Sequence, residues 1–423
     1  MSHTDHRGCD ISGATPAALQ AYERSLATWL SWRRGADVQI EQALGDAPDF
    51  AMAHVLRAYM QVCSRDRERV RSARPILQRA AQLPANGREA AHLAVIAAAL
   101  DDDFAQVRDR LAGLLQQHPR DVLALHVAHA LDYASGDAAR MNERVAALLP
   151  AWSEDLPGYH AMLSMQAFGL VENGEVERAE QTARAALASN PFDARAHHVM
   201  AHVFETSGRA EAGLRWMNDH IDRWASGTVV STHGWWHVAL FHLALGQIDR
   251  ALALYDLRVR SGHSREIPDL IDAASLLWRI ELLGGDAGAR WFELAQAWAP
   301  RIADAYSSFN DLHAMLAFVG ARDWALAQQL VTTLAASRRQ PTRHGQTTRE
   351  LGLRACRGLI AFGRGNNALA IALLARLPAR VHRLGGSYAQ RDVVHLTMLQ
   401  AVERIRRPMR KRRSAPLLAA LAS

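Results

Sequence analysis

HAMLSMQAFGLVENGEVERAEQTARAALASNPF, residues 160–192, is the stretch that decides the fold. Its apolar residues recur at helical rather than alternating spacing on both sides of Gly174, so it reads as two helices joined at that glycine. Glycine adopts φ > 0 without steric cost, which a tight helix–helix turn demands. Ala167 lies seven residues before the turn and Ala179 five after it. Small side chains at those places let antiparallel helices cross closely. Pro191 closes the unit, because proline cannot extend a helix without losing a backbone hydrogen bond.

Working outward, the same arrangement recurs. Turn positions fall at Asp102, Gly136, Gly174, Gly208, Gly246, Gly284, Gly320 and Gly365, separated by 34, 38, 34, 38, 38, 36 and 45 residues. Ala201 and Gly213, Ala239 and Ala251, Ala289, Ala325 and Ala370 supply the small positions of later copies, and fainter copies precede Asp102 around residues 56–83. A period near 34 with these small residues is the tetratricopeptide pattern. Each hairpin leaves an apolar face that only the next hairpin can cover. The expectation is therefore an all-α chain of tetratricopeptide-type hairpins, about eight to nine of them, stacked into one continuous right-handed superhelix over residues 26–402. A partly flexible N-terminal segment (1–25) would precede it and a basic C-terminal tail (403–423) would follow.

Composition narrows the class further. The 423 residues are 49% apolar and 22% charged, which excludes a disordered chain. No stretch reaches the roughly 18 consecutive apolar residues of a membrane span. The opening MSHTDHRGCD lacks the apolar core of a secretory signal. Cys9, Cys63 and Cys356 are odd in number and far apart, so they form neither a zinc ribbon nor a disulfide framework, and the cytoplasm is the expected compartment. The formal charge of +6 is concentrated in RIRRPMRKRR, residues 404–413, whose seven cations leave the remainder of the chain near neutral.

In a stack of this kind the first helix of each pair lines the concave face. Positions ten, six and three before the turn share that face, being spaced i, i+4, i+7. The ten-before positions are His126, Ser164, His198, Trp236, Ala274 and Asn310, more polar than packing alone requires. HHVMAHVFE (197–205) puts His198, His202 and Glu205 at all three groove positions of one helix, and HGWWH (233–237) opens the next with His233, Trp236 and His237. Each histidine pair is i, i+4, and adjacent first helices lie about 8–10 Å apart, so the two pairs converge. Four imidazoles and a carboxylate could hold a divalent metal, bind an anion, or serve as general acid and base. No spacing fixes a tetrahedral ligand set, so a metal-free site is preferred to one with His198, His202, His233 and His237 as ligands, and the cofactor stays open. Trp236 offers an indole face to a ligand, while His197 lies beside the stripe.

Other stretches carry chemistry more weakly. FNDLH (309–313) places Asn310 or Asp311 in the groove, with His313 as a buried core residue like His129. Asp272, Ser275 and Arg279 share a face at i, i+3, i+7 and read as an internal Asp–Arg pair. In LGGSYAQRDV (384–393), Ser387 and Gln390 form a capping box. Gly385 and Gly386 open a loop against a helix N-terminus, and Arg391 adds charge for an anion.

These stretches resemble, in order and spacing, the motifs of the tetratricopeptide repeat protein 38 family, over about Leu26 to Val402. The family's H-x-x-x-H-x-x-E falls on His198, His202 and Glu205, and its H-x-x-W-H on His233, Trp236 and His237. Its F-N-D-x-H falls on Phe309, Asn310, Asp311 and His313, and its G-G-S-x-A-Q-R-D on Gly385, Gly386, Ser387, Ala389, Gln390, Arg391 and Asp392. The resemblance implies an all-helical repeat fold and no settled activity, and the basic tail has no counterpart in it.

Two functional expectations follow. The preferred one is a binding protein that captures a peptide or small acidic ligand in a concave, His-rich groove, with Trp236, Asn310, Ser387, Gln390, Arg391 and Asp392 as binding residues. The alternative is a hydrolase-like enzyme in which His198, His202, Glu205, His233, His237 and Asp311 act through a metal or by general acid–base chemistry. A third reading gives the basic run to nucleic acid or an anionic surface, but a solvated tail is preferred and nucleic acid is not the expected partner. Whether the chain is catalytic, and its oligomeric state, are left open at this stage.

Overall fold

The computed structural model describes residues 3–419, with side chains over 4–406. Its backbone contacts divide into two compact units, Met1–Gln247 and Ile248–Ser423. Both are built from helices; the strands among the described residues are β1 (His3–Thr4) and β2 (Asp10–Ile11), one short antiparallel pair.

The first unit contains six consecutive helical hairpins: α1 (Pro16–Leu30) with α2 (Ala36–Asp46), α3 (Ala51–Val62) with α4 (Arg67–Ala80), α5 (Gly87–Leu100) with α6 (Phe104–Gln117), α7 (Val122–Ser135) with α8 (Ala138–Leu148), α9 (Tyr159–Glu172) with α10 (Val176–Ser189), and α11 (Ala194–Thr206) with α12 (Ala210–Asp219). A one-turn helix α13 (Ile221–Trp224) and α14 (Ser231–Ala244) follow. The second unit opens with α15 (Ile248–Leu254), which runs into a π-helical turn over Tyr255–Val259. It continues as α16 (Ile267–Leu282) with α17 (Arg290–Trp298), α18 (Ser308–Gly320) with α19 (Trp324–Ser337), α20 (Arg343–Thr347), a second π-helical turn over Thr348–Gly352, α21 (Leu353–Gly363) with α22 (Asn367–Leu374), α23 (Tyr388–Arg391) and α24 (Val393–Ala419). The chain is thus a tetratricopeptide-type helical-repeat protein. No helix among the described residues is long and apolar enough to cross a membrane.

The turns obey one rule with several residues. A residue of positive φ joins each pair of helices: Trp32, Arg65, Asp102, Gly136, Gly174, Gly208, Gly246, Gly284, Arg322 and Gly365. That makes ten turns among the described residues: eight from Asp102 on, a ninth at Arg65 within the fainter copy at 56–83, and a tenth at Trp32, which the pattern does not mark. Asp102, read as a glycine substitute, has φ +59°. Gly320 is a correction. It ends α18 in helical conformation, and Arg322, two residues on, makes the turn at φ +55°. Gly320 is instead required by packing, since a Cβ there would lie 2.3 Å from the Trp291 ring. Gly320→Ala is expected to cost about 1–3 kcal/mol through overpacking, against the gain of up to about 1 kcal/mol that alanine brings to an unobstructed helix. Urea unfolding checks it; an unchanged midpoint would show that Trp291 swings aside freely.

The small positions serve the close helix crossings foreseen for them: Ala167 of α9 and Ala179, Ala183 and Ala186 of α10 are all fully buried. Residues 1–25, expected as a partly flexible segment, include the start of α1 and a buried ion-pair knot. Arg7 bonds Glu23 at 2.8 Å and Asp5 at 3.3 Å, and Arg88 of α5 bonds the Asp10 carbonyl at 3.1 Å. At the other end the side chains of the basic tail lie mostly outside those described; of its cations Arg404 sits 4.1 Å over the Phe362 ring.

The first hairpin also meets the far end of its own unit. Its turn, residues 31–34, bonds the segment 190–194 and the loop after α13. The Ala194 N–H donates to the Ser31 carbonyl at 3.1 Å, the Val229 N–H to the Trp32 carbonyl at 3.0 Å, and the Arg34 N–H to the Gly227 carbonyl at 2.9 Å. The Arg33 guanidinium caps the Arg223 carbonyl at 2.9 Å. Residues 225–230, which exceed the repeat length, therefore form a dock for this hairpin.

Candidate functional site

The site is built by two helices of the first unit. Asp193 caps α11 by accepting from the N–H groups of Arg195 and Ala196, and this fixes where His198 and His202 emerge. α13 and its following loop delay α14, so that His233, not only the ten-before residue Trp236, faces α11. The four imidazoles meet: one ring nitrogen from each of His198, His202, His233 and His237 lies within 4.8 Å of all the others. His198 Nε2 is 2.9 Å from His202 Nε2 and 3.0 Å from His233 Nε2. One imidazole nitrogen offers either a single N–H or a single lone pair, so these two contacts cannot both be good neutral hydrogen bonds. Lone pairs converging on one cation would satisfy all of them together. Bonds of about 2.0–2.1 Å to a tetrahedral zinc ion would put ligand nitrogens about 3.3 Å apart, between the 2.9–3.0 Å of the two His198 contacts and the 4.8 Å that bounds the whole set.

The surroundings reinforce this chemistry. His237 Nδ1 lies 3.2 Å from a Glu205 carboxylate oxygen, in ion-pair range but outside hydrogen-bond geometry; drawn into a hydrogen bond, that carboxylate would orient a metal-binding ring and raise its basicity. Burial first, and then the neighbouring His202, His233 and His237, push the His198 imidazole well below its ordinary pKa, so it is neutral and ligand-competent at physiological pH. Trp236 is fully buried and stacks on His233, with ring centroids 5.1 Å apart and planes at 13°. Phe168 of α9 packs on both His198 and His202 at about 5.4–5.5 Å. Trp32, from the turn of the first hairpin, covers His198 at 5.4 Å. The concave face at His198 is occupied by the chain's own first hairpin.

The remaining predicted site residues belong to the second unit, and their neighbours there are as follows. Asp311 is buried in α18 and accepts from His344 Nε2 at 2.7 Å; Thr348 lies 3.1 Å from the same nitrogen and Ser308 3.0 Å from Thr348. Asn310 and Asp311 line a small pocket with Trp298, Tyr306 and Ser307. His313 is buried and bonds the Phe309 carbonyl at 2.8 Å. In the 384–393 loop, the Ser387 N–H donates to the Gln390 side chain at 3.4 Å, half of the anticipated capping box. Gln390 also donates to Asp272 at 3.1 Å, Arg391 bonds the Gly386 carbonyl, and Asp392 pairs with Arg279. Asp272 and Arg279, read as an internal pair, thus each tie α16 to the 386–392 segment. A group expected to receive an anion is engaged in holding that loop.

Sequence reasoning missed several buried polar residues, and one signal would have found them. Pairs about one repeat apart meet across neighbouring first helices: Tyr59–His92, Arg88–Asp121, His160–Asp193 and Asp311–His344 are all 33 residues apart. Asp121 has two of these partners, accepting from Arg88 Nε at 2.6 Å and His92 Nε2 at 2.8 Å. Against a burial that by itself would raise it, the Arg88 charge and then His92 hold the Asp121 carboxyl well below its usual range.

Buried neutral histidines set an acid limit on the first unit. Burial chiefly, with Arg195, lowers His129 to about 3, while its unfolded value is about 6.5. The unfolded chain therefore takes up a proton that the folded chain refuses. Stability is complete above about pH 6.5 and falls below it, by about 2 kcal/mol at pH 5 from this group alone. His126, depressed by burial and then by Arg195, acts in the same direction. Urea unfolding midpoints should fall between pH 7 and pH 5; equal midpoints would contradict the burial of these rings.

No family model matches the chain. Among solved structures it is similar to the human IFIT1 dimer with m7Gppp-AAAA, at 11% identity and a TM-score of 0.45, over 92% of this chain and 94% of that one. It is also similar to the APC/C hetero-tetramer Cut9–Hcn1, at 13% identity and a TM-score of 0.38, over 90% of this chain and 76% of that one. Both are tetratricopeptide-type helical-repeat proteins.

Proposed function

We propose that this chain is a metal-binding helical-repeat protein whose four-histidine centre holds one divalent transition-metal ion. The observation that carries the reading is the convergence of His198, His202, His233 and His237 from α11 and α14 within 4.8 Å. Four imidazoles without a thiolate suit zinc, copper(II) or nickel(II). Glu205 would orient His237, and His233, the partly exposed ligand, is the one best placed to yield to an incoming group. The motif residues of the tetratricopeptide repeat protein 38 family supply all four rings and the carboxylate, so we place the chain beside that family and propose that the centre is what those motifs encode. The first hairpin fills the concave face at His198, which favours a small ligand there over an extended peptide. The hydrolase reading keeps the same histidines as metal ligands; Asp311 is bonded to His344 in its own unit. Three unpaired cysteines suit a reducing compartment, and we place the protein in the cytoplasm.

The test is metal analysis. Chelator-stripped protein titrated with zinc should bind one ion per chain, and cobalt(II) should give a tetrahedral absorption spectrum. Less than a tenth of an ion per chain with zinc, copper and nickel alike would end the reading.

A further inference from the structure

Arg195 stands on α11 one turn before His198, and its position is unusual for a cation. It is 3% exposed. Its Nη2 lies 2.9 Å from His126 Nδ1, and its guanidinium carbon sits 4.7 Å over the Trp32 ring. Nε and Nη1 are buried and have no hydrogen-bond partner. The carboxylate nearest in sequence, Asp193, is engaged elsewhere: one oxygen accepts from the backbone N–H groups of Arg195 and Ala196, and the other bonds His160 Nδ1 at 2.8 Å. His126, the group Arg195 does touch, itself packs against Trp29 with centroids 4.2 Å apart and planes tilted by 46°.

A buried cation with unspent donors is costly unless an anion meets it. Even with its pKa lowered by burial to about 10, Arg195 is charged at neutral pH. Its guanidinium presents planar N–H donors matched to an oxyanion. Neutral imidazoles and indole faces surround it, and none of them carries the compensating negative charge.

We infer that Arg195 is the anion-recognition residue of the four-histidine centre, so that the centre's ligand is a small oxyanion, a carboxylate or a phosphate, held by the guanidinium between Trp32 and His126. This rests on the metal reading for what lies beside the anion, not for the anion contact itself. The guanidinium that carries these donors lies under Trp32 of the first hairpin, so the ligand enters as the turn at residues 31–34 moves. That turn already carries a bulky residue at positive φ (Trp32, +55°), a conformation that L side chains other than Asn and Asp rarely adopt.

The experiment titrates inorganic phosphate and, separately, acetate into the full chain by calorimetry, once zinc-loaded and once stripped of metal. The wild-type chain should bind at least one of the two anions, and Arg195→Gln should weaken that binding at least tenfold while still taking up one zinc per chain. Arg195→Lys, which keeps the charge and loses the planar donors, should recover part of it, and far-ultraviolet circular dichroism shows whether either variant has failed to fold. Phosphate binding without acetate binding assigns a phosphate ligand, and the reverse a carboxylate. Undiminished anion binding in a folded Arg195→Gln chain, or no binding of either anion by the wild type in both metal states, overturns the inference. Anion binding through Arg195 in a chain that takes up no zinc overturns the metal reading alone.

Discussion

Zinc raises the unfolding midpoint of the wild-type chain and leaves that of a His198→Ala chain where it was: this is the largest effect the centre should show. A ligand that binds only the folded state stabilises it by about 4 kcal/mol at a thousandfold excess over Kd, about 10 °C for a unit of this size. His198 is the hub, because its Nε2 contacts both His202 and His233; without it the remaining rings lose their common centre. Glu205→Gln should leave the ligands in place but weaken zinc 10–100-fold by releasing His237. His197→Ala is the control on the same helix. His197 bonds the Pro191 carbonyl at 3.0 Å and stands apart from the four-ring cluster, so its loss should leave one zinc bound. Equal midpoints with and without zinc in the wild type, or zinc stabilisation surviving in His198→Ala, would refute this account.

Asp121→Ala should destabilise the chain by about 3–5 kcal/mol, because it takes the nearer counter-charge, at 2.6 Å, from a buried Arg88 and leaves it Asp5 at 3.9 Å. Arg88 is 4% exposed, and Asp121 additionally caps α7 through the Ala124 N–H at 2.9 Å. The same change also releases His92, whose Nδ1 meets the Tyr59 hydroxyl at 3.0 Å, so three consecutive first helices loosen at once. A double change, Asp121→Asn with Arg88→Met, should recover much of the loss, since the charge needing compensation is gone and the cap is kept. Urea unfolding measures both. A single-variant loss below about 1 kcal/mol would mean that water already reaches the pair.

Which parts of this could be read from residue order follows from the range of the forces involved. Helical periodicity and the turn at Gly174 are local, so one copy sufficed to state the architecture. The two histidine pairs were legible because i, i+4 spacing puts both rings on one face, and the turn register told which face. Arg195, by contrast, looks like any helical arginine, and nothing near it in sequence says that Trp32 lies over its guanidinium. Likewise Trp32 and Arg65 make turns that the glycine rule passes over. Gly320 fits that rule but serves the Trp291 ring instead.

By itself, then, the sequence determined the all-helical repeat, the period, the small residues at the crossings and the identity of the imidazoles that could meet. Only the tertiary structure decided that those rings share one centre, that Glu205 backs His237, and that the first hairpin folds over Arg195 and His198. The reason is physical. Backbone sterics and side-chain size act within a turn or two of helix, whereas the burial of an arginine or the convergence of four nitrogens depends on groups 35 to more than 160 residues apart, brought together by the summed packing of every intervening repeat.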